Sequence, residues 1–247
     1  MTTRLPIEIL PQPDDVTCGP TCLHAVYRFW GEDLPIDQII REVRPPQESR
    51  GSLAVLLAQH ALERGYRAKL YVYDLEVFDP TWFRPGVDVA AKLREQMAAK
   101  ADTHLQFLSR EYLRFLELGG RLRYEELNTD LLRRLLERGT PVLTGLSATY
   151  LYGCSREVDD GDRVFYDDVR GGRTGHFVVL YGYHSDTREV LVADPLRENP
   201  GFGDQHYSVG ASRLVGAIML GVLSYDGNLL VLEPADAHAR QGEGERA

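Results

Sequence analysis

The spacing of apolar residues changes character near residue 140, and this change constrains the fold more than any other feature of the chain. Before it, apolar residues recur at helical spacing; after it, they fall in short continuous runs bounded by Gly, Pro, Asn or Asp. Helices grouped first and strands grouped second do not make the alternating units of a parallel sheet. The expected class is therefore α+β, with N-terminal helices packed on a mostly antiparallel sheet.

Residues 4–10 (RLPIEIL) read as a short edge strand that leads into the polar loop PQPDDVTCGP. In TCLHAVYRFWG, which follows, Cys22, Leu23, Val26, Tyr27 and Trp30 share one helical face. Thr17 suits the N-cap, Pro20 the first turn and Gly31 the stop, which puts Cys18 at a helix N-terminus. Residues 35–43 and 51–64 read as two more helices, and 67–75 as a strand. From 87 to 138 the pattern is helical, broken at Gly119-Gly120 and Asn128-Thr129. With no internal self-similarity, 77–138 reads as a helical insertion within a single domain spanning 1–233.

Beyond 140, TPVLTGLSATYLY (140–152) is β-rich, and 153–174 is an extended loop, acidic and rich in glycine. The runs 175–184 and 189–195 form a hairpin across SDTR. A short helix is expected at 208–219, then two strands around Asp226-Gly227, because Asp-Gly between apolar runs favours a tight turn. Residues 234–247 hold almost no large apolar side chains and are expected to form a disordered tail.

Composition narrows the function. Of 247 residues, 43% are apolar and 26% charged, which fits a folded globular chain. No run nears the ~18 apolar residues of a membrane span, and the N-terminus lacks the apolar stretch of a signal peptide, so the expected location is cytoplasmic. Lys and Arg number 28 against 37 Asp and Glu, a net charge of −9, which argues against nucleic acid or an anionic membrane as partner. Three cysteines, Cys18, Cys22 and Cys154, do not make a disulfide framework. Cys22 lies one turn after Cys18 and reads as core. The pair lacks further ligands at metal-binding spacing, so no metal is expected. No Gly-rich phosphate loop occurs, so no nucleotide cofactor is expected either.

A cysteine at a helix N-terminus meets the positive end of the helix dipole, which favours the thiolate, and the thiolate is the nucleophile. Such a nucleophile needs a base and a group to orient that base. His24 and His60 lie on predicted helices and read as packing or surface residues. His184 sits at the hairpin turn, and His206 has no evident role. His176 opens the apolar strand FVVLYG, where an imidazole is costly unless it is hydrogen-bonded or used. Asp194 ends the next strand, at the same end of the hairpin, where it can accept the His176 N–H. The aspartates of 155–175 read as a solvated loop; Arg156, Arg163, Arg170 and Arg173 share that loop and offer a site for a substrate carboxylate. Tyr150, Tyr152, Tyr181 and Tyr183 read as sheet filling.

Gln12 followed by Cys18-Gly19-Pro20 and Cys22-Leu23 resembles the N-terminal box of the C39-type cysteine peptidases. Gly175-His176-Phe177-Val178-Val179 and Val192-Ala193-Asp194-Pro195 resemble their His and Asp boxes. The resemblance implies a papain-like fold with Cys18 as nucleophile, His176 as base and Asp194 as orienting residue. It also implies that Gln12 donates to the oxyanion hole together with the Cys18 backbone N–H. The implied activity is hydrolysis of a peptide or amide bond through an acyl-enzyme on Cys18, with a peptide or small amide as substrate. The alternative is an acyltransferase or amide synthase that uses the same three residues. Transporter-fused members of that family cut a leader peptide after a Gly-Gly pair. The long segments 77–138 and 153–174 depart from the bare domain and leave the substrate open.

Overall fold

The structure, a computed structural model, describes residues 2–43, 51–161, 163–223 and 226–235. In chain order the elements are β1 (Thr2–Arg4), α1 (Cys18–Phe29), α2 (Ile36–Glu42), α3 (Ala54–Glu63), β2 (Tyr66–Tyr71), α4 (Val89–Ala99), α5 (Thr103–Glu117), β3 (Arg121–Arg123) and α6 (Thr129–Glu137). There follow β4 (Val142–Ser147), α7 (Ala148–Tyr152), β5 (Glu157–Asp159), β6 (Val164–Tyr166), β7 (Gly175–His184), β8 (Glu189–Ala193), β9 (His206–Gly210), α8 (Ala211–Val222) and β10 (Leu229–Pro234).

The main sheet runs β3-β2-β10-β4-β7-β8-β9, antiparallel throughout except for β2 and β3. β7 lies in its interior because its side chains are apolar on both faces. Phe177, Val179 and Tyr181 meet Cys22, Leu23 and Tyr27 of α1. Val178 and Leu180 point the other way, towards the helices α6, α7 and α8, with Leu132, Leu151 and Ile218. Each large apolar side chain so buried contributes about 1.5–3 kcal/mol, so the two layers fix the strand from both sides. A bulge at Leu180/Gly182 bends β7, and β4 gives way there to β1. Gly182 is required at that bend, because a Cβ would run into the Thr3 carbonyl.

The α+β class, the helix from Cys18 and the hairpin β7–β8 agree with the sequence pattern. Several local expectations are corrected. The edge strand lies at Thr2–Arg4 rather than 4–10, where it pairs with β7. Residues 148–152 of the β-rich segment form a helix, capped by the Ser147 hydroxyl at the Tyr150 N–H. The loop 153–174 contains the hairpin β5–β6. Asp226-Gly227 does not turn a hairpin: residues up to Val222 extend α8, and only β10 follows. Asp226 instead accepts from the Ala54 N–H at the start of α3 and from the Asn228 N–H. The expected tail lies outside the described residues, apart from Pro234, which ends β10, and Ala235.

The segment 77–138 serves both layers. Leu93, Leu105 and Phe115 join the α1 side, Leu131, Leu132 and Leu136 join the α8 side, and β3 extends the sheet beside β2. Among the described residues no helix is long and apolar enough to cross a membrane.

Candidate active site

The start of α1 is built around Thr17 and Gly19. Thr17 occupies the N-cap position, but its hydroxyl bonds with Asp14 rather than with the helix amides. The Thr21 N–H is satisfied by the Thr17 carbonyl. The Cys18 N–H, as the first of the helix, has no acceptor within it. Gly19 packs against the entry to α3, where a Cβ would come within 2.8 Å of Ser52 Cβ. This contact seats the helix N-terminus, and with it Cys18, against the core. Cys18 is buried at 7% exposure, and Cys22 is fully buried and donates its thiol to the Phe177 carbonyl at 3.3 Å. Burial, then the nearness of Cys18 and Asp194, pushes the Cys22 thiol up, which keeps it protonated.

β7 and β8 supply the remaining groups. Register places Val179 opposite Ala193, so Asp194 leaves the strand diagonal to His176 on one face. His176 Nε2 lies 2.8 Å from Asp194 Oδ1, and the imidazole also interacts with the nearby Cys18 thiol. The three residues are thus brought together at the end of the sheet. Asp194 is fully buried and carries further donors: Tyr152 Oη at 2.8 Å and Tyr207 Oη at 2.7 Å on Oδ2, and the Leu196 N–H at 2.9 Å on Oδ1. Burial alone would raise its pKa, but His176, Tyr207 and the Leu196 amide hold the carboxyl below the usual range. Burial opposes charge on His176 too, but the Asp194 carboxylate and the Cys18 contact outweigh it and lift the imidazole to about 10.

A sequence profile described as the Peptidase_C39 like family matches residues 85–214, just over half of the chain. The chain belongs to the Peptidase_C39 like family. The matched segment of this C39-like chain contains His176 and Asp194; Cys18 and Gln12 precede it. No curated protein sequence matches the chain. Among solved structures, it is similar to a double glycine motif protease from an AMS/PCAT transporter in complex with the leader peptide. That match has 14% identity and a TM-score of 0.47 over 94% of this chain and 95% of the other. The peptidase domain of Streptococcus ComA matches at 14% identity and TM-score 0.44, over 92% and 98%. Xylellain, a cysteine protease from Xylella fastidiosa, matches at 15% and 0.45, over 95% and 86%.

Gln12 of this C39-like chain is tied to the same region by its backbone, whose N–H donates to the Pro195 carbonyl at 2.9 Å. Its side-chain amide donates to the Asp14 carbonyl at 2.8 Å, and Oε1 is buried without a partner among the described residues. One amide hydrogen of Nε2 therefore remains available.

Two residues at the site were not recognised in the sequence. The sequence pattern suggests sheet filling for Tyr152, yet it sits on α7 and donates to Asp194. Tyr207 lies on β9, a strand that the sequence pattern does not reveal, and stacks on Phe202 at 3.8 Å between ring centroids. The available signal for Tyr207 was a hydroxyl-bearing aromatic that returns the chain to the sheet soon after Asp194. Of the other histidines, His206 accepts no catalytic place: its Nε2 lies 3.2 Å from the Ile7 carbonyl.

Proposed function

We propose that this chain is a cysteine peptidase in which Cys18 is the nucleophile, His176 the proton carrier and Asp194 the residue that orients it. The observation that carries the proposal is the buried His176–Asp194 pair, with two tyrosine hydroxyls on Asp194 Oδ2 and the Cys18 thiol beside the imidazole. Asp194 accepts from Nε2, which leaves the other ring nitrogen for the thiol. The Cys18 thiolate attacks the substrate carbonyl carbon, and the carbonyl π electrons move to oxygen. The Cys18 N–H and the free hydrogen of the Gln12 amide are the donors for that oxyanion; such a donor contributes roughly 3–4 kcal/mol in comparable sites. The tetrahedral intermediate collapses, the C–N bond breaks, and His176 gives its proton to the leaving amine. A water then loses a proton to His176 and attacks the thioester, releasing the carboxylic product and restoring the thiol.

In this reading residues 1–233 act as one domain, and the free thiols suit a reducing cytoplasm. The test is cleavage of a peptide mixture, read by mass spectrometry, with the intact chain and with Cys18→Ala and His176→Ala. Cleavage by the intact chain that both variants lose supports the reading; cleavage that persists in Cys18→Ala rejects it. Adding a primary amine to the reaction separates the outcomes of the thioester: a carboxylate product indicates hydrolysis, an amide product indicates transfer.

A further inference from the structure

A second cluster of side chains lies where the extended loop 153–174 meets α8. A cavity of about 820 Å³ opens there, with Arg156, Arg173 and Arg213 around it and Tyr150, Leu220 and Leu223 on its apolar wall. The three apolar residues are exposed. In a chain of net charge −9, three arginines around one cavity need an explanation. Among the described residues none of the three is paired with a carboxylate. Arg156 donates to the Asp168 carbonyl at 2.5 Å and the Val169 carbonyl at 3.5 Å, and Arg213 to the Tyr150 carbonyl at 3.5 Å. The nearby Asp167 is already held by Arg170 at 2.7 Å.

Four links tie the cavity to the proposed catalytic residues. Ser147, on its wall, pairs with Gly175, the neighbour of His176. The helix α7 presents Tyr150 to the cavity and Tyr152 to Asp194. Arg156 precedes Glu157, whose carboxyl interacts electrostatically with His176. Arg173 lies three residues before His176, at most about 10–11 Å of extended chain. A substrate strand advances by the same rise per residue. An adjoining cavity of about 900 Å³ shares Arg173 and Leu223 but is lined by Asp74 and Glu76, so the positive character is confined to the first.

We infer that this cavity is a specificity subsite which takes an acidic side chain of a peptide substrate, about three residues from the cleaved bond. Guanidinium groups match a carboxylate in charge and in fork geometry, and the apolar wall covers the neighbouring substrate side chain. The inference rests on the peptidase reading above and adds the substrate class to it.

The test uses the full chain carrying Cys18→Ala, which cannot form the thioester. It is titrated with fluorescein-labelled peptides of one apolar sequence that carry paired Glu, Gln or Lys. The expected result is that the Glu peptide binds roughly tenfold tighter than the Lys peptide, with a preference that fades as salt is added. In R173Q/R213Q the preference falls towards one, and in R173E/R213E it inverts. Equal binding of the three peptides overturns the subsite, as does a Glu preference that both double variants keep. The comparison among peptides on the unaltered arginines needs no arginine variant to fold. In the active chain, mapped cut sites should be enriched in Asp or Glu about three residues away, on one side of the bond. Charge-selective binding without any cleavage by the active chain would leave the subsite standing and remove the peptidase reading.

Discussion

His176 and His60 make a natural comparison, because both are buried histidines that hold a carboxylate. His176 Nε2 meets Asp194 at 2.8 Å, and His60 Nε2 meets Glu42 at 2.9 Å; each histidine is 7% exposed. The difference lies in what the other ring nitrogen faces and in how the acid is held. The His176 ring meets the thiol of Cys18 at an open helix N-terminus. His60 Nδ1 meets the Tyr27 hydroxyl at 2.8 Å, inside a cluster with Tyr66, where burial, followed by Glu32 and Tyr66, pushes the phenol far above its ordinary range. Asp194 is sealed from solvent by four donors, whereas the Glu42 side chain is 43% exposed and takes its second bond from Gln38 at 2.8 Å. A buried histidine–carboxylate pair is therefore not a catalytic signature by itself. In the proposed function, the thiol beside the ring and the lack of solvent around the acid make the difference.

The largest separation between the two pairs is expected in turnover. Cys18→Ala and His176→Ala should each lower peptide cleavage by roughly 10³-fold or more, with far-ultraviolet circular dichroism unchanged. Next comes the acid. Asp194→Ala strands the hydroxyls of Tyr152 and Tyr207 and should cost about 3–5 kcal/mol of stability, read by urea unfolding. Asp194→Asn keeps the shape and should lower kcat by roughly 10²–10⁴-fold.

The pH dependence of stability sharpens the contrast further. The folded pKa of His176 is raised, so its contribution is fully present below its ordinary value of 6.5 and is lost as pH rises through about 10. The folded pKa of Asp194 is lowered, so its contribution is present above its ordinary value of 3.8 and is lost as pH falls through the folded value. Urea unfolding between pH 7 and pH 10 should show a decline in the intact chain that is absent in His176→Ala. A smaller effect is expected from Tyr207→Phe, which removes one of two hydroxyls on Oδ2 at about 1 kcal/mol; kcat should fall by a fewfold. The smallest effect on activity belongs to the other pair. His60→Gln should lower stability by about 1–3 kcal/mol and leave kcat within about twofold. A large loss of kcat in His60→Gln would break the comparison.

Much of this arrangement is legible in the residues themselves, for physical reasons. The spacing of Cys22, Val26 and Tyr27 fixes the buried face of α1, and Pro20 in the first turn fixes its start, so the place of Cys18 follows. The run from Phe177 to Tyr181 is apolar at every position, which suits only a strand buried on both faces. The meeting of His176 and Asp194 follows from hairpin pairing. Local chemistry misleads where tertiary contacts override it. Asp226-Gly227 has the composition of a tight turn, yet α8 packs its apolar face on β4 as far as Val222, and Asp226 is used to cap α3. The β-rich look of Ala148–Tyr152 yields to the Ser147 cap and to packing against α8. Tyr207 was hidden because β9 is short and half-buried, with little apolar pattern of its own.

The most direct measurement is the rate at which each cysteine reacts with iodoacetamide, resolved by peptide mass spectrometry in the intact chain and in His176→Ala. Cys18 should react fastest although it is buried, Cys154 more slowly because burial and then Glu157 raise its thiol pKa, and Cys22 not at all while the chain is folded. His176→Ala should slow Cys18 alone. A Cys18 that reacts no faster than Cys154, or at the same rate without His176, would contradict the activated thiol on which the proposed function stands.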